Sequence, residues 1–123
     1  MTVQRKIPKG RLITPDQTIE DDDLVEYLRK IREHAIHATH FTESWVSTIR
    51  HSAALSAAQG NDRVENHWEI KGSITQRSAA LDAAIMVSDY FRSIRFHSHT
   101  TQRESNDAVL INITVSWAEH NPF

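Results

Sequence analysis

The chain has no cysteine among its 123 residues. A disulfide framework, thiolate metal sites and thiol catalysis are therefore excluded. Three glycines and three prolines leave little from which to build a phosphate-cradling loop or a nucleophile elbow, and neither motif occurs. No apolar run reaches the length of a membrane span, and the N-terminus has no apolar signal core. The expectation is a soluble protein, cytoplasmic or virion-associated. Neither sign of charge dominates: the formal net charge is −2 with histidines neutral, which gives no strong signal for nucleic acid as a partner. No cofactor is called for.

What is present begins with a basic, extended arm over residues 1–17. Arg5, Lys6, Lys9 and Arg11 appear there before any acid, and Pro8, Gly10 and Pro15 oppose a helix. A single α+β domain is expected over 18–123. Charge inverts in TIEDDD, and acids crowding ahead of an apolar-periodic run mark a helix N-terminus, where unpaired backbone N–H groups favour negative charge. Thr18 and Asp21 are placed as a capping box. Leu24, Leu28, Ile31, Ala35, Ala38, Thr42, Trp45 and Ile49 then recur at spacings of four and three. That stripe predicts a helix to about Ala58, before Gly60-Asn61-Asp62. At roughly 50 Å it outruns a small core, so it either breaks near 39–44 or extends to meet a partner. Trp45 is expected against the sheet or a partner helix.

Alternation over 64–75 predicts a strand with Trp68, Ile70, Gly72 and Ile74 facing inward. Residues 77–92 read as a second helix, whose face of Ala80, Leu81, Ala84, Ile85, Ser88 and Phe91 can lie flat on a sheet. A strand from Ile94 to Thr100, a polar turn QRESND and a strand from Val109 to Trp117 complete the chain. The order is α-β-α-β-β. The predicted architecture is a three-stranded mixed sheet with a long N-terminal helix and a second helix on one face. The strand–helix–strand unit is read as a crossover joining parallel strands, followed by an antiparallel hairpin. The sheet's other face and at least one edge are left open, and such edges invite pairing.

The segment EIKGSITQRSAALDAAIMVSDYFRSIRF, with VLINITVSW after a polar turn, resembles the C-terminal domain of type IV pilus inner-membrane platform proteins of the PilN type and their secretion-system relatives. The matching positions are Gly72, Ser88, Phe91, Ile94 and Phe96, and the likeness covers about half the chain. It implies a scaffold domain that pairs with itself or a paralogue after a coiled-coil helix. Those proteins carry a membrane span ahead of this region, and no such run occurs in this sequence. Ring proteins of phage tail and neck junctions have a similar layout and need no membrane.

Of the eight histidines, His34, His37 and His40 share one helix flank, where a solvated surface competes with metal binding. His97 and His99 fall on the outward sheet face, and His67 from the first strand is placed to join them. Their alternatives are a zinc or nickel site, a pH-sensitive interface and an exposed polar face. Ser78 and Ser88 read as capping and packing residues, and Asn112-Ile113-Thr114 as a sequon discounted because Ile113 faces the core. The expected function is a non-catalytic, self-associating scaffold, pilus- or secretion-platform-like. A phage tail or neck ring protein is the alternative within that class, and a small His-dependent metal-binding or enzyme domain the alternative outside it. Expected contact residues are the arm, Trp45, and the open sheet face with Glu69, Lys71, Arg95, His97 and His99.

Overall fold

The computed structural model describes residues 21–123. Helix α1 spans Asp21–Ala58, strand β1 Arg63–Lys71, helix α2 Ile74–Ser93, strand β2 His97–Glu104 and strand β3 Ala108–Ser116. The fold is α+β in the expected α-β-α-β-β order. Helix α1 is continuous, with no break near 39–44. Arg5, Lys6, Lys9, Arg11 and the Thr18 cap lie outside the described residues. Two compact units divide the chain, one ending at Glu33 and the other running from His34 to Phe123. Among the described residues no helix is long and apolar enough to cross a membrane.

The sheet order is β1-β3-β2, and both pairings are antiparallel. The expected mixed sheet is therefore corrected: β1 and β2 run in the same direction, as a crossover requires, but β3 lies between them. The reason is burial. Val109, Ile111, Ile113 and Val115 on β3 are all almost fully buried, and the most apolar strand gains most at the centre of a sheet. Strands β1 and β2, rich in charged and polar residues, suit the edges.

Register fixes the faces. Trp68 stands opposite Ile111, Asn66 opposite Ile113, and Val64 opposite Val115, which faces Ser98 on its other side. This row meets the helices. Helix α2 lays Ala79, Ala80, Ala83, Ala84, Val87, Ser88 and Phe91 against the sheet. Its alanines permit close approach, and burying Val87 or Phe91 contributes about 1.5–3 kcal/mol each. Ile85, expected on that face, is instead 54% exposed. Helix α1 docks through Ala38, Trp45 and Ile49, with Phe41, Thr42 and Val46 half-buried beside them. Trp45 stacks between Phe41 and Trp68 at ring separations of 5.3 and 4.8 Å.

Strand β1 stops at Lys71 rather than 75, because Ser73 caps α2. Ser73 Oγ accepts from the Gln76 amide, and Gln76 Oε1 accepts from the Ser73 amide, each at 3.1 Å. Gly72 has φ +144°, and a Cβ there would collide with the Gln76 side chain. Ile74, expected in the core, becomes the first helical residue and is 77% exposed.

The abrupt passage SDYFRSIRF is a Schellman ending. The Phe96 amide donates to the Phe91 carbonyl at 3.0 Å and the Arg95 amide to Arg92 at 3.3 Å. Phe91 and Phe96 make the accompanying apolar contact, edge to face at 5.1 Å. Arg95 holds the left-handed position at φ +81°. Helix α1 ends the same way, Asn61 to Ser56 and Gly60 to Ala57, with Gly60 in the equivalent place at φ +90°.

Candidate functional site

The face of the sheet turned away from the helices carries the expected contact residues. Alternation puts Arg63, Glu65, His67, Glu69 and Lys71 of β1 on it, with His97, His99, Thr101 and Arg103 of β2. Leu110, Asn112 and Thr114 of β3 run between them. Glu69 is level with Leu110 and Arg103, His67 with Asn112 and Thr101, and Glu65 with Thr114 and His99. The β1 side therefore carries Glu65 and Glu69 between Arg63 and Lys71, and the β2 side carries His97, His99 and Arg103. A groove of about 690 Å³ opens here, lined by residues that include His67, Glu69, Thr101, Arg103, Leu110 and Asn112. Such a surface offers hydrogen bonds and charge of both signs over a short apolar floor.

The histidines do not converge as a ligand set. Strand β3 separates His67 from His97 and His99 by two strand spacings, about 10 Å, whereas zinc holds nitrogens at about 2.1 Å. His67 Nδ1 donates to Asn112 Oδ1, and its Nε2 stands 3.9 Å from Glu65. His99 stacks on Phe123 at 5.6 Å. Among the described residues no group of three His, Asp or Glu side chains is placed to hold a metal ion. On α1, His34 pairs with Asp82 Oδ2 at 3.0 Å, and His37 and His40 flank the Phe41 ring, each at 6.5 Å. That flank thus packs partly against the protein rather than standing wholly in solvent.

Glu69, Lys71, His97 and His99 lie on the open face as expected. Arg95 does not: it belongs to the helix-ending turn, before β2 begins. Trp45, 3% exposed, is enclosed in the chain's own core. Ser88 is a packing residue, its Oγ 2.7 Å from Ser98 Oγ in the interior. Arg103 was not singled out from sequence, because QRESND reads as a turn, and neither were Thr101 just before it and Leu110 in the last strand. The alternation His97, His99, Thr101, Arg103 carries on into QRESND and is the signal that finds Thr101 and Arg103.

A second feature lies on α1. Leu24, Val25, Leu28 and Ile31 are 38–55% exposed, although Leu24, Leu28 and Ile31 keep the spacing that buries Ala38, Trp45 and Ile49 further along. Compared with models of protein families, with curated proteins and with solved structures, the chain finds no match.

Proposed function

We propose that this protein is a non-catalytic scaffold component that associates with itself or a paralogue inside a larger assembly. The observation that carries this reading is the exposed apolar stripe Leu24, Leu28, Ile31. A large apolar side chain left wholly in water forgoes about 1.5–3 kcal/mol, and these three forgo the share that their 38–52% exposure leaves; a repeat of fours and threes on a helix is the pattern a partner helix covers. The mixed-charge open face, with Glu65 and Glu69 on one side and His97, His99 and Arg103 on the other, adds a surface suited to specific docking. The metal-dependent alternative has less support, since His67 stands apart from His97 and His99.

Light scattering at micromolar concentration tests the reading. The parent should exceed monomer mass, and Leu28→Glu/Ile31→Glu should reduce it while leaving the circular dichroism spectrum helical. A parent that stays monomeric at high concentration, and recruits no paralogue, overturns it. Pilus or secretion genes beside this one favour a platform role. Phage structural genes favour a tail or neck ring.

A further inference from the structure

The structure points to a second, distinct contact, and we infer that the free edge of β2 pairs antiparallel with β2 of a second copy, about a two-fold axis at Thr100. The inference rests on the scaffold reading and adds to it a second seam, built on β2 and α2.

Backbone direction comes first. The Ser105 amide donates to the Ala108 carbonyl at 2.9 Å. Carried along the register that pairs Arg103 with Leu110 and His99 with Thr114, this turns the odd-numbered residues of β2 toward β3. Ser98, Thr100, Gln102 and Glu104 therefore present their N–H and C=O groups outward. Among the described residues no strand receives them. The side chains there include no proline or lysine of the kind that blocks an edge.

Three features meet at one level of this edge. The Thr100 hydroxyl is buried and has no hydrogen-bond partner among the described residues. Above it, Ser88 reaches Ser98, and the Leu81 carbonyl accepts from Gln102 Nε2 at 3.2 Å. The point midway between Ser98 and Gln102 is Thr100, and midway between Leu81 and Ser88 it is Ala84–Ile85. Leu81, Ile85, Ser88 and Arg92 share one helix side by their four–three–four spacing, so the exposed Ile85 stands beside the edge at the height of Thr100.

A second copy fits all three. An antiparallel pair keeps even residues opposite even ones. With Thr100 on the axis, Ser98 faces the partner's Gln102, seven residues of β2 pair, and the two Thr100 side chains stand opposite each other, where a turn about χ1 brings the buried hydroxyls into a cross-strand hydrogen bond. Ile85 meets its own symmetry mate. Helix α2 lies mainly over β2 and β3, so its axis sits about half a strand spacing inside β2. Across the new seam two α2 helices stand about 10 Å apart, the distance at which helices pack. Arg92 Nη2 already donates to the outward Ser98 carbonyl at 3.1 Å, which keeps its second lone pair for the partner. The β1 edge fits no such mate. Trp45 on Trp68 and Ser56 Oγ bonded to the Arg63 carbonyl at 2.8 Å place α1 over it, where two copies' helices would collide.

The test uses full-length Leu28→Glu/Ile31→Glu, in which the α1 contact is removed. Sedimentation should find a dimer, and Thr100 and Gln102 amides should be slow to exchange. Adding Ile85→Asp, an exposed change that leaves the core intact, should raise the dimer Kd at least about 30-fold, the size of a hot-spot residue. Thr100→Pro, which deletes an outward N–H and the hydroxyl while sparing the bonds to β3, should do likewise. If the stripe variant is already monomeric, or its dimer ignores both added changes, the edge pairing is overturned while the scaffold reading stands. A monomeric parent overturns the pairing, and the scaffold reading with it where no paralogue is recruited. A monomer with protected Thr100 and Gln102 amides assigns the edge to another segment of the same chain and also overturns the pairing.

Discussion

Arg95 sits where Gly60 sits in the other helix ending, and the two residues differ in cost. An L-residue in the left-handed region is disfavoured by about 1–2 kcal/mol, and glycine returns part of that gain by loosening the unfolded chain. Arg95→Gly should therefore stabilise the protein by about 0.5–1 kcal/mol in urea denaturation. A loss of stability would mean that the Arg95 side chain makes a contact worth more than the strain. The Ser88–Ser98 pair gives a second residue-level test. Ser88→Ala should cost about 1–2 kcal/mol, because Ser98 Oγ is left buried without its partner, whereas replacing both with Ala should cost little more, or less. Strict additivity in that cycle would show that the two hydroxyls act independently. The Gly60 ending was legible in Gly60-Asn61-Asp62. The place of the second ending was legible too, read at residue 92 and found at Ser93; its turn through Arg95 was not, since the signal is a pair of phenylalanines five residues apart rather than a glycine.

At the scale of elements, α1 carries one spacing through two environments, exposed at Leu24, Leu28 and Ile31 and buried at Ala38, Trp45 and Ile49. From Ala38 onward its stripe is core, and Trp45→Ala should cost about 3–5 kcal/mol of stability, read as a lower melting temperature with the oligomer otherwise intact. Loss of the oligomer at unchanged stability would return Trp45 to the interface. The stripe, the inward face of β3 and the outward face of β1 could all be read from periodicity, because a period repeats its evidence. The end of β1 and both ends of β2 could not. Ser73 and Gln76 form a capping box in plain view, yet Ile74 continues the alternation of β1 and draws the strand four residues too far. Strand β2 was cut short for the opposite reason: Gln102, Arg103 and Glu104 have turn-like composition, and only pairing with Val109–Ile111 makes them strand. The order β1-β3-β2 was equally hidden, since alternation tells which way a side chain faces and not which strand lies beside it.

For the molecule as a whole, every large buried side chain from Trp45 to Val115 lies in the unit His34–Phe123. A chain beginning at His34 should unfold cooperatively, with a melting temperature close to the parent's, and should have lost the α1 stripe contact. Broad, non-cooperative melting would show that residues before His34 help hold the core. The order of the strands also has a consequence for synthesis. The strand that joins the other two is the last to leave the ribosome. Until Ala108–Ser116 emerge, β1 and β2 have no hydrogen-bonding mate in the finished pattern, and the alanine face of α2 has only half a floor. Closure must wait until β3 has emerged, after both helices and the other two strands. A ribosome-bound chain stopped within the β2–β3 turn would display its helices and two unmatched ribbons to whatever chaperone, or sister chain on the same message, stands nearest.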